Sequence, residues 1–177
     1  YGIQLYVGSL VMVATNYLAG ISLGFFNKDN SEVGFYTLAL TVTAPLAALP
    51  AIVGTTYFKK FAKQSCIPPK VIGFTVLMTV ITCVCFLLII RPLVIYLYSE
   101  RYAVVGSYAS LLSVSFCIHG LGDMFNRYLC SHGQGVSVRN ASIANGVSKI
   151  LGYIVLVALF NTNGAIATTI ICDVIYF

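Results

Sequence analysis

Apolar residues run along this chain in long blocks, and the polar positions between them fall in short clusters. Six apolar segments stand out, at residues 3–24, 34–58, 71–90, 103–128, 141–160 and 164–177. Most reach about 20 residues, the length an α-helix needs to cross a hydrocarbon core of roughly 30 Å. In lipid every backbone amide must find an internal partner, which leaves helices or a closed barrel. A barrel would show strands of about ten residues with alternating polarity, and stretches such as residues 80–90 do not alternate. The pattern therefore predicts an all-α integral membrane protein with a six-helix bundle. The final segment reaches only about 21 Å at 1.5 Å per residue, and the chain starts at Tyr1, so both ends are expected to be edges of a longer protein.

Composition strengthens that reading. Hydrophobic residues make up 59% of the chain and charged residues 8%, against roughly 25% charged in a soluble domain, and the mean hydropathy is +0.92. A signal peptide would be one short apolar block ahead of a polar chain, whereas these blocks continue to the last residue. The six cysteines match neither a zinc site nor a disulfide framework, and they are expected to be small buried packing residues.

The net charge of +5 does not point to nucleic acid, because the basic residues are shared among short connections. The second connection carries Lys59, Lys60, Lys63 and Lys70, and the fourth is bounded by Arg127 and Arg139. The first holds Lys28 beside Asp29 and Glu32, the third Arg91, Glu100 and Arg101, and the fifth, residues 161–163, no charge. The excess of basic residues predicts that the second and fourth connections, and with them both chain ends, are cytoplasmic. Tyr36, Tyr57, Tyr96, Tyr98 and Tyr102 fall near predicted helix ends, where their rings can rest in the headgroup layer. Residues 92–98 are expected to form an interfacial helix or a helix extension on the outer side.

An ionisable group at membrane depth costs roughly 2.5 to 3.5 kcal/mol on insertion scales, so it normally faces a cavity or a partner. His119, Asp123 and Arg127 recur every four residues and share one helix face; an Asp123–Arg127 ion pair at the interface and a part in transport are the two readings. In the fifth segment Ser142, Asn145, Lys149 and Gly152 share a face, with Lys149 about 13 Å from the cytoplasmic end. Counting back from the tight turn at residues 161–163 puts Lys149 and Asp173 within about one turn of the same depth, so they are expected to be partners near the midplane. They either fix helix register as a buried ion pair or offer Lys149 to an anionic substrate group, with Asp173 modulating it or binding a coupling cation. Pro45 and Pro50 are candidate hinges in the second segment, and Asn16, deep in the first, should face protein or water. No nucleotide loop, metal-ligand spacing or activated nucleophile points to an enzyme.

Several stretches resemble the second half of the polysaccharide transporters, the O-antigen and lipid-linked oligosaccharide flippases of the superfamily that includes the multidrug exporters. They are Ser31-Glu32-Val33-Gly34-Phe35-Tyr36-Thr37-Leu38-Ala39 leading into a proline-broken helix and Phe58-Lys59-Lys60-Phe61-Ala62, then Pro92-Leu93-Val94-Ile95-Tyr96-Leu97-Tyr98 with Arg101-Tyr102, then Gly133-Gln134-Gly135 through Arg139-Asn140 as the last cytoplasmic loop, and Asn163-Gly164-Ala165-Ile166-Ala167-Thr168 as the start of the closing helix. The resemblance implies two six-helix bundles around a central cavity, of which this chain supplies the second. It implies flipping of a polyprenyl-pyrophosphate-linked glycan across the cell membrane by alternating access, with Lys149 and Arg127 attracting the pyrophosphate. The N-terminal bundle and membrane lipid would be the partners, and no cofactor is implied beyond a coupling H+ or Na+. The rivals are a cation-coupled drug exporter, for which Asp123 and Asp173 would be the acids, and a membrane glycosyltransferase or polymerase acting on the same lipid intermediates.

Overall fold

The computed structural model describes residues 2–27 and 30–177; Tyr1 and the Lys28 and Asp29 of the first connection lie outside them. Every regular element is helical. The order is α1 (Gly2–Phe26), α2 (Asn30–Thr43), α3 (Pro45–Phe61), α4 (Pro69–Tyr98), a 3-10 turn (Glu100–Tyr102), α5 (Ala103–Ser131) and α6 (Gly135–Tyr176). Taking α2 with α3, five helices are long and apolar enough to cross a membrane. Their outer faces carry the large apolar side chains that a hydrocarbon solvent favours, Phe25, Leu88 and Leu159 among them.

The helices depart from the sequence pattern at two places, each for a local reason. The segment at 34–58 is two helices, because Pro45 opens α3 and has no N–H with which to continue the α2 ladder. Pro50, the second hinge candidate, lies buried inside α3 without ending it. Residues 92–98 continue α4, the helix extension that was one of the two expected forms. Residues 135–140, expected in a loop, are the first turns of α6; their polar side chains reflect an end exposed to polar surroundings, not a lack of helix.

The chain reverses inside α6. Asn161 has φ 51° and ψ −129°, a positive φ that asparagine enters more readily than most residues. The arms on either side, residues 135–160 and 162–176, fold back on each other closely enough that a Cβ on Gly164 would overlap the Leu156 carbonyl and one on Gly152 would overlap the Thr168 side chain. The fifth and sixth apolar segments are these two arms.

Helix α5 is central, packed by α2, α3, α4 and α6, while α1 packs mainly on α6. Small residues let backbones approach α5 without polar glue. A Cβ on Gly120 would lie 2.7 Å from the Ala47 carbonyl oxygen of α3, and one on Gly106 3.0 Å from the Arg91 Cα of α4. Many hydroxyls within the helices donate to carbonyls one turn back, as Thr41 does to Thr37 O at 2.9 Å and Thr79 to Thr75 O at 2.8 Å, so they remain satisfied in an apolar solvent.

Candidate functional site

Four helices, α1, α2, α5 and α6, bring polar side chains to one half-open cavity of about 610 Å³. Each arm of α6 contributes one ion. Lys149 and Asp173 both stand twelve positions from Asn161, one on either arm, and so lie about 18 Å from the break at the same depth. Because α6 begins at Gly135, Lys149 is about 21 Å from that end, deeper than a start near residue 141 implied. The two are 5% and 3% exposed; neither faces the outer apolar surface.

Asp173 is well supplied with donors. The Ser115 hydroxyl donates to Oδ2 at 2.5 Å, and His119 Nδ1 lies 3.1 Å from Oδ1. A carboxylate only accepts, so that contact makes Nδ1 the protonated ring nitrogen of His119. Lys149 Nζ lies 4.0 Å from the same Oδ1. The ammonium is held much less firmly: among the described residues its one hydrogen bond is to Asn16 Oδ1 of α1 at 3.5 Å, at the limit of a useful length. A lysine has three N–H groups to place. At least two of them lack a protein acceptor, on a side chain that lines the cavity.

Asn145, one turn before Lys149, is 1% exposed. It donates from Nδ2 to the Cys172 carbonyl at 2.9 Å, tying the two arms together, while its Oδ1 has no partner among the described residues. On α5, His119 turns to Asp173 and stacks on Tyr176 at 4.9 Å between centroids. Tyr176 donates its hydroxyl to Asp123 at 2.9 Å. The expected Asp123–Arg127 ion pair does not form: Asp123 takes the tyrosine instead, and Arg127 is exposed and lies along α3, its Cδ 2.8 Å from where a Gly54 Cβ would be. The structure thus brings Lys149, Asp173, His119 and Asn16 together and leaves Asp123 and Arg127 nearer one end of α5.

Other members of the site were not singled out from the sequence. Ser115 is one turn before His119, so the 119, 123, 127 ladder read one step further back would have reached it. Tyr153 is likewise one turn after Lys149, and Thr169 one turn before Asp173. Tyr36, expected in a headgroup layer, is 1% exposed and meets Thr169 Oγ1 at 3.1 Å, as does Tyr153. Cysteine follows the expectation only in part: Cys117 and Cys172 are buried, Cys66 and Cys85 are exposed, and all six are free thiols. Among the described residues no group of three or more His, Cys, Asp or Glu could hold a metal ion. No protein family, curated protein or solved structure matches the chain.

Proposed function

We propose that this chain is one bundle of a membrane transporter that flips a lipid-linked oligosaccharide or polysaccharide precursor by alternating access, with Lys149 receiving the anionic pyrophosphate. The supporting observation is the unequal supply of partners at the paired charges. Besides the 4.0 Å ion pair they share, Asp173 has two hydrogen-bond donors, whereas Lys149 has one long hydrogen bond and spare N–H groups on a cavity wall. Such a site is prepared for an anion. A drug exporter driven by cations needs the opposite, a carboxylate with open coordination, and Asp173 does not offer one. The glycosyltransferase or polymerase reading needs acids or arginines around an acceptor at a membrane surface, and the charges here converge at mid-depth instead.

In this reading the connections around Lys59 to Lys70 and at residues 132–134 face the cytoplasm, and a preceding bundle completes the cavity wall along α1 and α2. The test uses the full-length protein in proteoliposomes with a fluorescent short-chain lipid-pyrophosphate oligosaccharide. Lys149→Met should reduce flipping at least tenfold and Lys149→Arg should retain most of it. Wild-type flipping by Lys149→Met ends the proposal.

A further inference from the structure

Helix α2 forms one wall of the cavity through Tyr36, Thr37, Leu40 and Thr41, and among the helices it packs on, which include α1, it meets α5 and the second arm of α6 differently. Against α5 it is packed by side chains: Ala39 is fully buried in the core, and Phe35 meets Tyr102 edge-on at 5.4 Å just ahead of α5. Against the second arm of α6 it is joined by two polar rungs. In the first, Glu32 Oε2 accepts the Thr162 hydroxyl at 2.8 Å, and the same oxygen accepts the hydroxyl of Tyr108 on α5 at 3.0 Å, so this rung also holds α2 to α5. In the second, one turn along α2, the Tyr36 hydroxyl lies 3.1 Å from Thr169 Oγ1. Thr169 gives its own proton to Ala165 O at 2.9 Å, so Tyr36 is the donor.

The far end of α2 is Thr43, and beyond Ala44 the missing N–H of Pro45 interrupts the amide ladder. Between α1 and α2 lies a second, wide-open cavity of about 570 Å³, lined by Gly24, Asn30, Gly34 and Leu38 and sharing Thr37 and Thr41 with the first. The segment therefore has a proline break at one end, hydroxyl contacts that water can replace along one edge and an open groove beside it. Glu32 is partly exposed, so water can replace the two hydroxyls it holds, and parting the rung leaves no charge stranded.

We infer that α2 is a gate for the cavity, swinging about Ala44–Pro45, with Glu32 as the latch that fastens it to the second arm of α6. Opening parts the Glu32–Thr162 and Tyr36–Thr169 contacts and moves α2 toward the second cavity; closing restores both. The gate does not depend on which solute crosses.

Two experiments on the full-length protein in proteoliposomes test it. In a background without native cysteines, Glu32→Cys and Thr162→Cys joined by a disulfide or a short thiol cross-linker should lower transport at least tenfold, and reductant should restore it. Full transport while cross-linked overturns the gate. The second readout needs no substrate: spin labels at Asn30→Cys and Asn163→Cys should give one short distance by pulsed electron paramagnetic resonance, and Glu32→Gln should add a longer population. An unchanged distribution in Glu32→Gln overturns the latch.

Discussion

Replacing the buried ions together separates a site from a structural tie. With Lys149→Met alone, Asp173 keeps the donors Ser115 and His119, so the loss of stability should be about 1–3 kcal/mol, the scale of one charge-assisted contact. With Asp173→Leu alone, the ammonium keeps one contact of 3.5 Å, and Ser115 and His119 lose their acceptor. An uncompensated buried charge costs roughly 3–5 kcal/mol, which makes this the more damaging single change. In the pair Lys149→Met with Asp173→Leu no charge is stranded, and exchanging a buried ion pair for apolar residues is often neutral or stabilising. The double variant should therefore recover roughly 2 kcal/mol or more over Asp173→Leu. Thermal unfolding in detergent, read as a double-mutant cycle, measures the coupling, and the flipping assay on the same preparations measures transport. The expected result is a stable double variant that does not transport. A double variant that is stable and transports normally would reduce the pair to a register device, and equal destabilisation by the two single changes would refute the accounting of partners.

Two further expectations concern packing and orientation. Gly120→Ala drives a Cβ into the Ala47 backbone, at 2.7 Å from O and 2.9 Å from Cα, and should cost about 1–3 kcal/mol in thermal unfolding; Gly73→Ala, with nothing within 4 Å, should be neutral or stabilising by up to about 1 kcal/mol. Cys66 is exposed in the connection between α3 and α4, so a membrane-impermeant maleimide should label it in inside-out vesicles and spare it in right-side-out cells; the reverse pattern would invert the proposed orientation.

What could be read in the sequence was whatever depends on helix rise and solvent. The long apolar blocks became helices because lipid leaves the backbone little choice. The match in depth between Lys149 and Asp173 followed from counting outward from a turn at a fixed rise per residue. What depends on rotation and neighbours was not legible. Asp123 and Arg127 have the spacing of a pair, yet Tyr176 from another helix reaches Asp123 first. Ser115 looks like any helical serine until Asp173 arrives opposite it. Tyr36 has the position of a belt residue and the surroundings of a core one, since no pattern within α2 reveals the Thr169 hydroxyl. The start of α6 was missed for a different reason: a polar stretch such as residues 135–140 has the same composition whether it is a loop or a helix emerging from lipid.

The reversal at Asn161 also bears on how the protein is made. Only the three polar residues 161–163 separate the arms, so the second arm emerges from synthesis almost directly behind the first. Arms packed this closely would be expected to enter the bilayer as a hairpin, because an unpartnered ion at membrane depth is costly. The opposite charges of Lys149 and Asp173 then travel in side by side, so that neither has to be carried through hydrocarbon alone.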